Sequence, residues 1–292
     1  MNQRPLSAQD DIMGAYLTYI TGLLEEIRSE PRDRLLEVAG LLADHIAEDK
    51  LVYLYGPGGH SNMNATEIFF RAGGLMHISA ILDEGTMISN GALRSMAVER
   101  TPGYGKLVIE DNRLGPGDIL ILANAYGINT ACIDAALEAK RRGVVTIAVT
   151  SVGHADATPK DHPARHPSRL NLYEACDYYL DSKVKPGDSA LPIRGLEPRM
   201  GSTSTFANAF FAERAYDDCR SSSCGKRNRG TGMAERERPG RRRMEQPFHR
   251  PVQGPREMAL AADPSRRFAP SEACLENRRL RHLSTIVREE SS

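Results

Sequence analysis

Residues 51–74 read LVYLYGPGGHSNMNATEIFFRAGG, and this stretch decides the fold. Leu51 to Tyr55 is a short apolar run of strand length, rich in aromatic and branched residues. It breaks into Gly56-Pro57-Gly58-Gly59, where no side chain blocks a close approach to the backbone. Ser61 is a natural N-cap, and Asn62 to Ala72 reads as a helix. A strand, a glycine turn and a helix N-terminus together favour an anion, through free N–H groups and the helix dipole.

Downstream, the same alternation repeats. Leu75 to Leu82 reads as a second strand, Gly91 to Val98 as a short helix and Leu107 to Glu110 as a short edge strand. Asp118 leads into Ile119-Leu120-Ile121-Leu122, a continuous apolar run of the kind buried on both faces of a parallel sheet. Ile128 to Arg142 is helical in pattern and ends at Gly143, a C′ residue. Val144 to Val149 is another buried strand, Leu170 to Ala175 a helical turn and Tyr178 to Leu180 a last strand. Ser202-Thr203-Ser204-Thr205 opens a helix into Phe206 to Arg214. Upstream, Ile12, Tyr16, Ile20, Leu23, Leu24 and Ile27 stripe one helix, and Leu35, Leu36, Val38, Leu41, Leu42 and Ile46 a second.

The expectation is an α/β protein: a three-layer α/β/α sandwich with a mainly parallel five-stranded sheet of flavodoxin-like type, preceded by N-terminal helices. Its parts are helices in 1–48 packing on the core, the sandwich in 49–215, and a tail in 216–292. In such sheets ligands bind outside the carboxyl ends of the strands. Three polar loops fall there: Gly56–Ser61, Asn124–Thr130 and Thr150–His154.

The 292 residues carry no net charge, but the neutrality hides a split. From Tyr216 onward there are 17 Lys and Arg against 11 Asp and Glu, and before it 21 against 27. The tail is rich in Arg, Pro, Ser and Gly and lacks apolar periodicity, the composition of a segment that does not fold by itself. It lacks the aromatic interleaving of a nucleic-acid-binding arm, and its abrupt onset resembles out-of-frame translation of GC-rich DNA. No apolar run approaches the roughly 18 residues that span a bilayer. The N-terminus lacks the order of a signal peptide, and five cysteines without a CxxC motif fit a reducing, cytoplasmic setting.

YGPGGHSNMNATEIFFRAGG, GPGDILILANAYGINTACIDAALEAKRRG, VTSVGHA and GSTST together resemble the SIS (sugar isomerase) domain family over about Asp10 to Arg214. Phosphoheptose-isomerase-like phosphosugar proteins are the nearest branch. The resemblance implies a homodimer or homotetramer that holds a phosphorylated sugar at the interface, with no cofactor or metal and no membrane or nucleic-acid partner. It places substrate on Gly58, Gly59 and Ser61. The phosphate loop, usually Ser-x-Ser-Gly-x-Thr, is here Asn124-Ala125-Tyr126-Gly127-Ile128-Asn129 before Thr130, so both serines are missing. Thr150, Ser151 and the run Ser202, Thr203, Ser204, Thr205 complete the expected contacts. Glu67 matches the branch's base for aldose–ketose proton transfer through an enediol, and His60 or His154 is the candidate partner. The alternative is a non-catalytic sugar-phosphate sensor.

Plainer readings stand beside these. Glu67 is also spaced to pair with Arg71 at i, i+4. His154, Asp156, Asp161, His162 and His166 cluster without a defined metal-ligand spacing. Gly56, Gly58, Ser61 and Asp83 approximate a dinucleotide fingerprint, but the third glycine is absent and two helices precede the strand.

Overall fold

The computed structural model describes residues 4–7, 9–71, 74–211 and 213. The tail expected from residue 216 lies outside them.

Two helices open the chain, α1 (Ile12–Ser29) and α2 (Asp33–Ala47). Strand β1 (Val52–Tyr55) leads through the glycine loop into α3 (Asn62–Ile68), and β2 (Ile78–Ile81) follows. Two short 3₁₀ turns precede α4 (Ala92–Glu99) and α5 (Tyr104–Asp111). Then come β3 (Ile119–Ala123), α6 (Thr130–Arg141), β4 (Val145–Thr150), α7 (Val152–Ala157), α8 (Leu172–Ala175) and β5 (Tyr178–Asp181). Residues 204–211 are helical again.

All five strands run parallel in the order β2-β1-β3-β4-β5, the doubly wound arrangement expected. Alternate residues of each strand feed opposite layers. Val52, Leu54, Ile119, Ile121, Ile147 and Val149 pack with Leu23, Val38 and Leu42 of the first two helices. Tyr53, Tyr55, Leu120, Leu122 and Ala148 pack with Val108, Ile109 and Ile133 of α5 and α6. The N-terminal helices therefore share one core with the sheet. Among the described residues no helix is long and apolar enough to cross a membrane.

Two expectations are corrected. Leu107 to Glu110 is not an edge strand but part of α5, where Val108 and Ile109 face the core. Gly105 lets that helix lie directly on α6: a Cβ there would stand 1.9 Å from the Ala131 carbonyl oxygen. Ser61 does precede α3, but its hydroxyl makes no cap bond.

Glu138 on α6 gives the fold a pH dependence. It is buried, and its carboxylate accepts from Arg141 Nη2 at 2.6 Å and from Arg142 Nε at 2.6 Å. The Arg141 bond above all, then Arg142, against the opposing effect of burial, holds its pKa down to about 2, from an ordinary 4.5. A depressed carboxylate stabilises the fold fully above its unfolded pKa and loses that contribution as pH falls toward the folded one. Glu138→Gln is expected to melt below wild type at pH 7, with the gap closing between pH 4.5 and about 2. Melting curves across that window test it, and a gap that ignores pH overturns it. Because the guanidinium groups reach solvent, added salt narrows the gap too.

Candidate functional site

The strand order reverses between β1 and β3, and that is where a doubly wound sheet opens a crevice at its carboxyl edge. Tyr55 and Leu122 are paired across the two strands, so the loops that follow them start side by side.

Asn124 ties these loops together. Its amide nitrogen donates to the Pro57 carbonyl at 2.9 Å and to Ser61 Oγ at 3.2 Å. Its amide oxygen accepts the Gly127 N–H at 2.8 Å. A serine is too short to span this gap. The side chain that stands at the start of the expected phosphate loop is thus used as a buried staple, and Gly127 spends its own N–H on it. Gly127 has φ +61°, and a Cβ there would meet Thr150 Oγ1 at 2.3 Å. Thr150 is fully buried, and its hydroxyl has no hydrogen-bond partner.

A cleft of about 380 Å³ opens beside this staple. Glu99, Arg100, Tyr126, Asn129 and His154 line it, with the segment 157–164 as one wall. Tyr126 lies flat on His154, with ring centroids 4.3 Å apart and planes 9° apart. Burial pushes the His154 pKa down and the Asp188 carboxylate pushes it back up, with a net lowering. The imidazole is therefore neutral at pH 7 and has one N–H to give. Asn129 is buried, and its amide oxygen lacks a partner.

Glu99 closes the inner side. It is the last residue of α4, half-buried, and its Oε2 would stand 2.5 Å from a Cβ built on Gly58. Only a glycine, here at φ +134°, admits the carboxylate onto the loop backbone. Burial raises the Glu99 pKa, against Arg100 and a hydrogen bond from the Asn129 side chain. Nothing local in the sequence marks this residue. At the end of a short amphipathic helix a glutamate reads as a solvated cap, and only the path from β2 through α4 carries it to Gly58.

Other expected residues take different places. Tyr126, Asn129 and His154 meet in the cleft, with Gly58 behind Glu99. Glu67 lies outside the cleft lining, two-fifths exposed and paired with Arg71 at 2.5 Å. His60 is exposed. Gly59 packs against Ile88 and Ser95. Thr130 starts α6 and is buried. Ser151 is fully buried; its hydroxyl donates to the Val184 carbonyl and caps α7 through His154 N–H. Thr203 and Ser204 give their hydroxyls and N–H groups to Asp188, while the Ser202 carbonyl accepts from Tyr16. Thr205 follows, half-buried. Asp156 accepts from Tyr173 and Asn171, and His166 contacts Asp134. Among the described residues no three His, Cys, Asp or Glu are placed to hold a metal ion.

The family model of the SIS domain matches residues 15–151. A UPF0309 protein of Geobacillus kaustophilus is 33% identical over 207 residues, covering 69% of this chain and 80% of that protein. A UPF0309 protein of Listeria monocytogenes is 32% identical over 201 residues, covering 69% and 79%. Among solved structures, a phosphoheptose isomerase from Francisella tularensis superposes with a TM-score of 0.48 at 12% identity, covering 72% of this chain and 96% of that one. The phosphoheptose isomerase from Neisseria gonorrhoeae gives 0.46 at 15% identity, covering 72% and 97%. With a third of its residues shared across two-thirds of its length, the chain belongs to the UPF0309 group of SIS-domain proteins.

Proposed function

We propose that this chain binds a phosphorylated sugar in the cleft at the β1–β3 crevice and isomerises it. The reaction is aldose–ketose proton transfer through an enediol, in a cytoplasmic homo-oligomer. One observation carries the reading: a carboxylate, a neutral imidazole and an unpartnered amide oxygen converge on one cleft of sugar size. An aldose–ketose shift asks for such a set, a base at carbon and a partner that moves the hydroxyl proton. Arg100 on the lining and the N-terminus of the twelve-residue α6 are the groups available to a phosphoryl oxygen.

A non-catalytic sugar-phosphate module is the second reading. It is favoured by the Asn124 staple, which spends the amide and the Gly127 N–H on the protein itself.

A panel of aldose and ketose phosphates separates the two. A binder at about 100 times its Kd adds roughly 2.7 kcal/mol, which raises the melting temperature by roughly 5–10 °C in a chain of this size. Conversion of the same sugar, followed by NMR, supports the isomerase. A shift without conversion supports the module, and no shift with any sugar phosphate overturns both.

A further inference from the structure

Within the isomerase reading, we propose that Glu99 is the catalytic base of this cleft, and that Glu67 is not. The carboxylate stands between the two loops that meet at the β1–β3 crevice. On one side its Oε2 lies against Gly58, where a built Cβ would also sit 3.6 Å from Ser61 Oγ. On the other side is Asn129, which hydrogen-bonds it and keeps a buried amide oxygen with no partner. Two neighbouring acceptors, in a cleft that His154 also lines, suit the hydroxyl edge of a sugar rather than its phosphate. A phosphoryl group brings only acceptors and finds no donor in this pair.

Glu67 has none of this setting. Its side chain is two-fifths exposed, its charge is matched by Arg71 one helical turn away, and it does not line the cleft. Glu99 is the reverse, since partial burial penalises its charged form.

The step balances on residues of this chain. The Glu99 carboxylate takes the proton from C2 of the aldose, and the C–H electron pair forms the C1=C2 bond of the enediol. O1 gains a proton from the His154 N–H, and the ring regains one from O2. Protonated Glu99 then delivers its proton to C1 while O2 becomes the ketone oxygen. No redox partner is required.

The test is exchange of solvent deuterium into the sugar, read by NMR on each aldose and ketose phosphate of the panel. Wild type, Glu99→Gln, Glu99→Asp and Glu67→Gln are compared, with melting curves as the folding control. Glu99→Gln is expected to lose about 100-fold or more in exchange rate while the ligand-induced rise in melting temperature persists. Glu99→Asp keeps the carboxylate and retains part of the rate, and Glu67→Gln stays within about threefold of wild type. Exchange by Glu99→Gln at the wild-type rate overturns the assignment and leaves the isomerase reading standing. A large loss in Glu67→Gln alone returns the base to that residue. Absence of exchange in wild type with every sugar overturns the reading and the Glu99 role together.

Discussion

Arg165→Met, next to the cleft wall, is expected to lower the melting temperature by about 10 °C. Arg165 is buried, and it gathers four neutral acceptors at once. Its Nε donates to the Pro159 carbonyl at 2.8 Å and its Nη1 to Asn171 Oδ1 at 2.8 Å. Its Nη2 donates to the carbonyls of Ala155 at 2.6 Å and Thr158 at 2.7 Å. These partners span the irregular segment 155–171, which has little sheet or helix to satisfy its own backbone. Methionine fills the volume but removes the Arg165 donor from all four acceptors, and of these the Pro159 carbonyl keeps a second one, the His162 N–H at 3.1 Å.

Each unsatisfied buried acceptor costs about 1–3 kcal/mol, and water reaching part of the segment recovers some of that. A net loss of about 3–5 kcal/mol is the reasonable sum. At roughly 2–4 °C per kcal/mol for a chain of this size, the shift is about 10 °C. Arg165→Lys is expected to recover less than half, because an ammonium cannot present the planar fork that four acceptors around one side chain demand. Differential scanning calorimetry on the three proteins decides it. A methionine variant that melts within about 2 °C of wild type, less than one kcal/mol of loss, would mean that the segment holds itself.

The elements that were legible in the sequence are those whose signal is local. β1, β3 and β4 are continuous apolar runs next to glycine or serine loops, and their buried faces follow from their burial on both sides of the sheet. Gly143, at φ +75°, ends α6 where a C′ glycine was expected. Leu107 to Glu110 failed for a definable reason. Four apolar-flanked residues carry too little periodicity to separate strand from helix, and the contact that decides is Gly105 on α6, some 26 residues away in sequence.

The site was legible only in outline. That ligands belong at the carboxyl edge follows from alternating strands and helices, and Tyr126, Asn129 and His154 do meet there. The internal use of polar groups was not legible. Asn124, Ser151, Thr203 and Ser204 all read as ligand-facing because polar residues in loops look alike, yet each has its main hydrogen bonds within the protein. Conversely, Glu99 has an ordinary local setting and a special tertiary one.

Gly58→Ala tests the contact on which the cleft is built, and the expected result is about a 1,000-fold loss of deuterium exchange with the fold retained. Two effects combine. An alanine Cβ would stand 2.5 Å from Glu99 Oε2, so the carboxylate must move by about an ångström or more. A displacement of that size costs about 100-fold in a reaction that depends on alignment. The residue must also leave φ +134°, which alanine rarely adopts, and strain of that kind costs roughly 1–3 kcal/mol and shifts the glycine loop. The double variant Gly58→Ala with Glu99→Gln separates the contributions. If the glycine acts by admitting the carboxylate, removing that carboxylate's charge from an already displaced position adds less than about threefold, the mark of two residues acting as one unit. Losses that multiply would show that Gly58 serves the sugar directly and that its closeness to Glu99 is incidental. Stability gives an independent reading. In a Glu99→Ala background the Cβ introduced by Gly58→Ala meets no carboxylate, so the same glycine substitution is expected to cost less in melting temperature than it does in wild type.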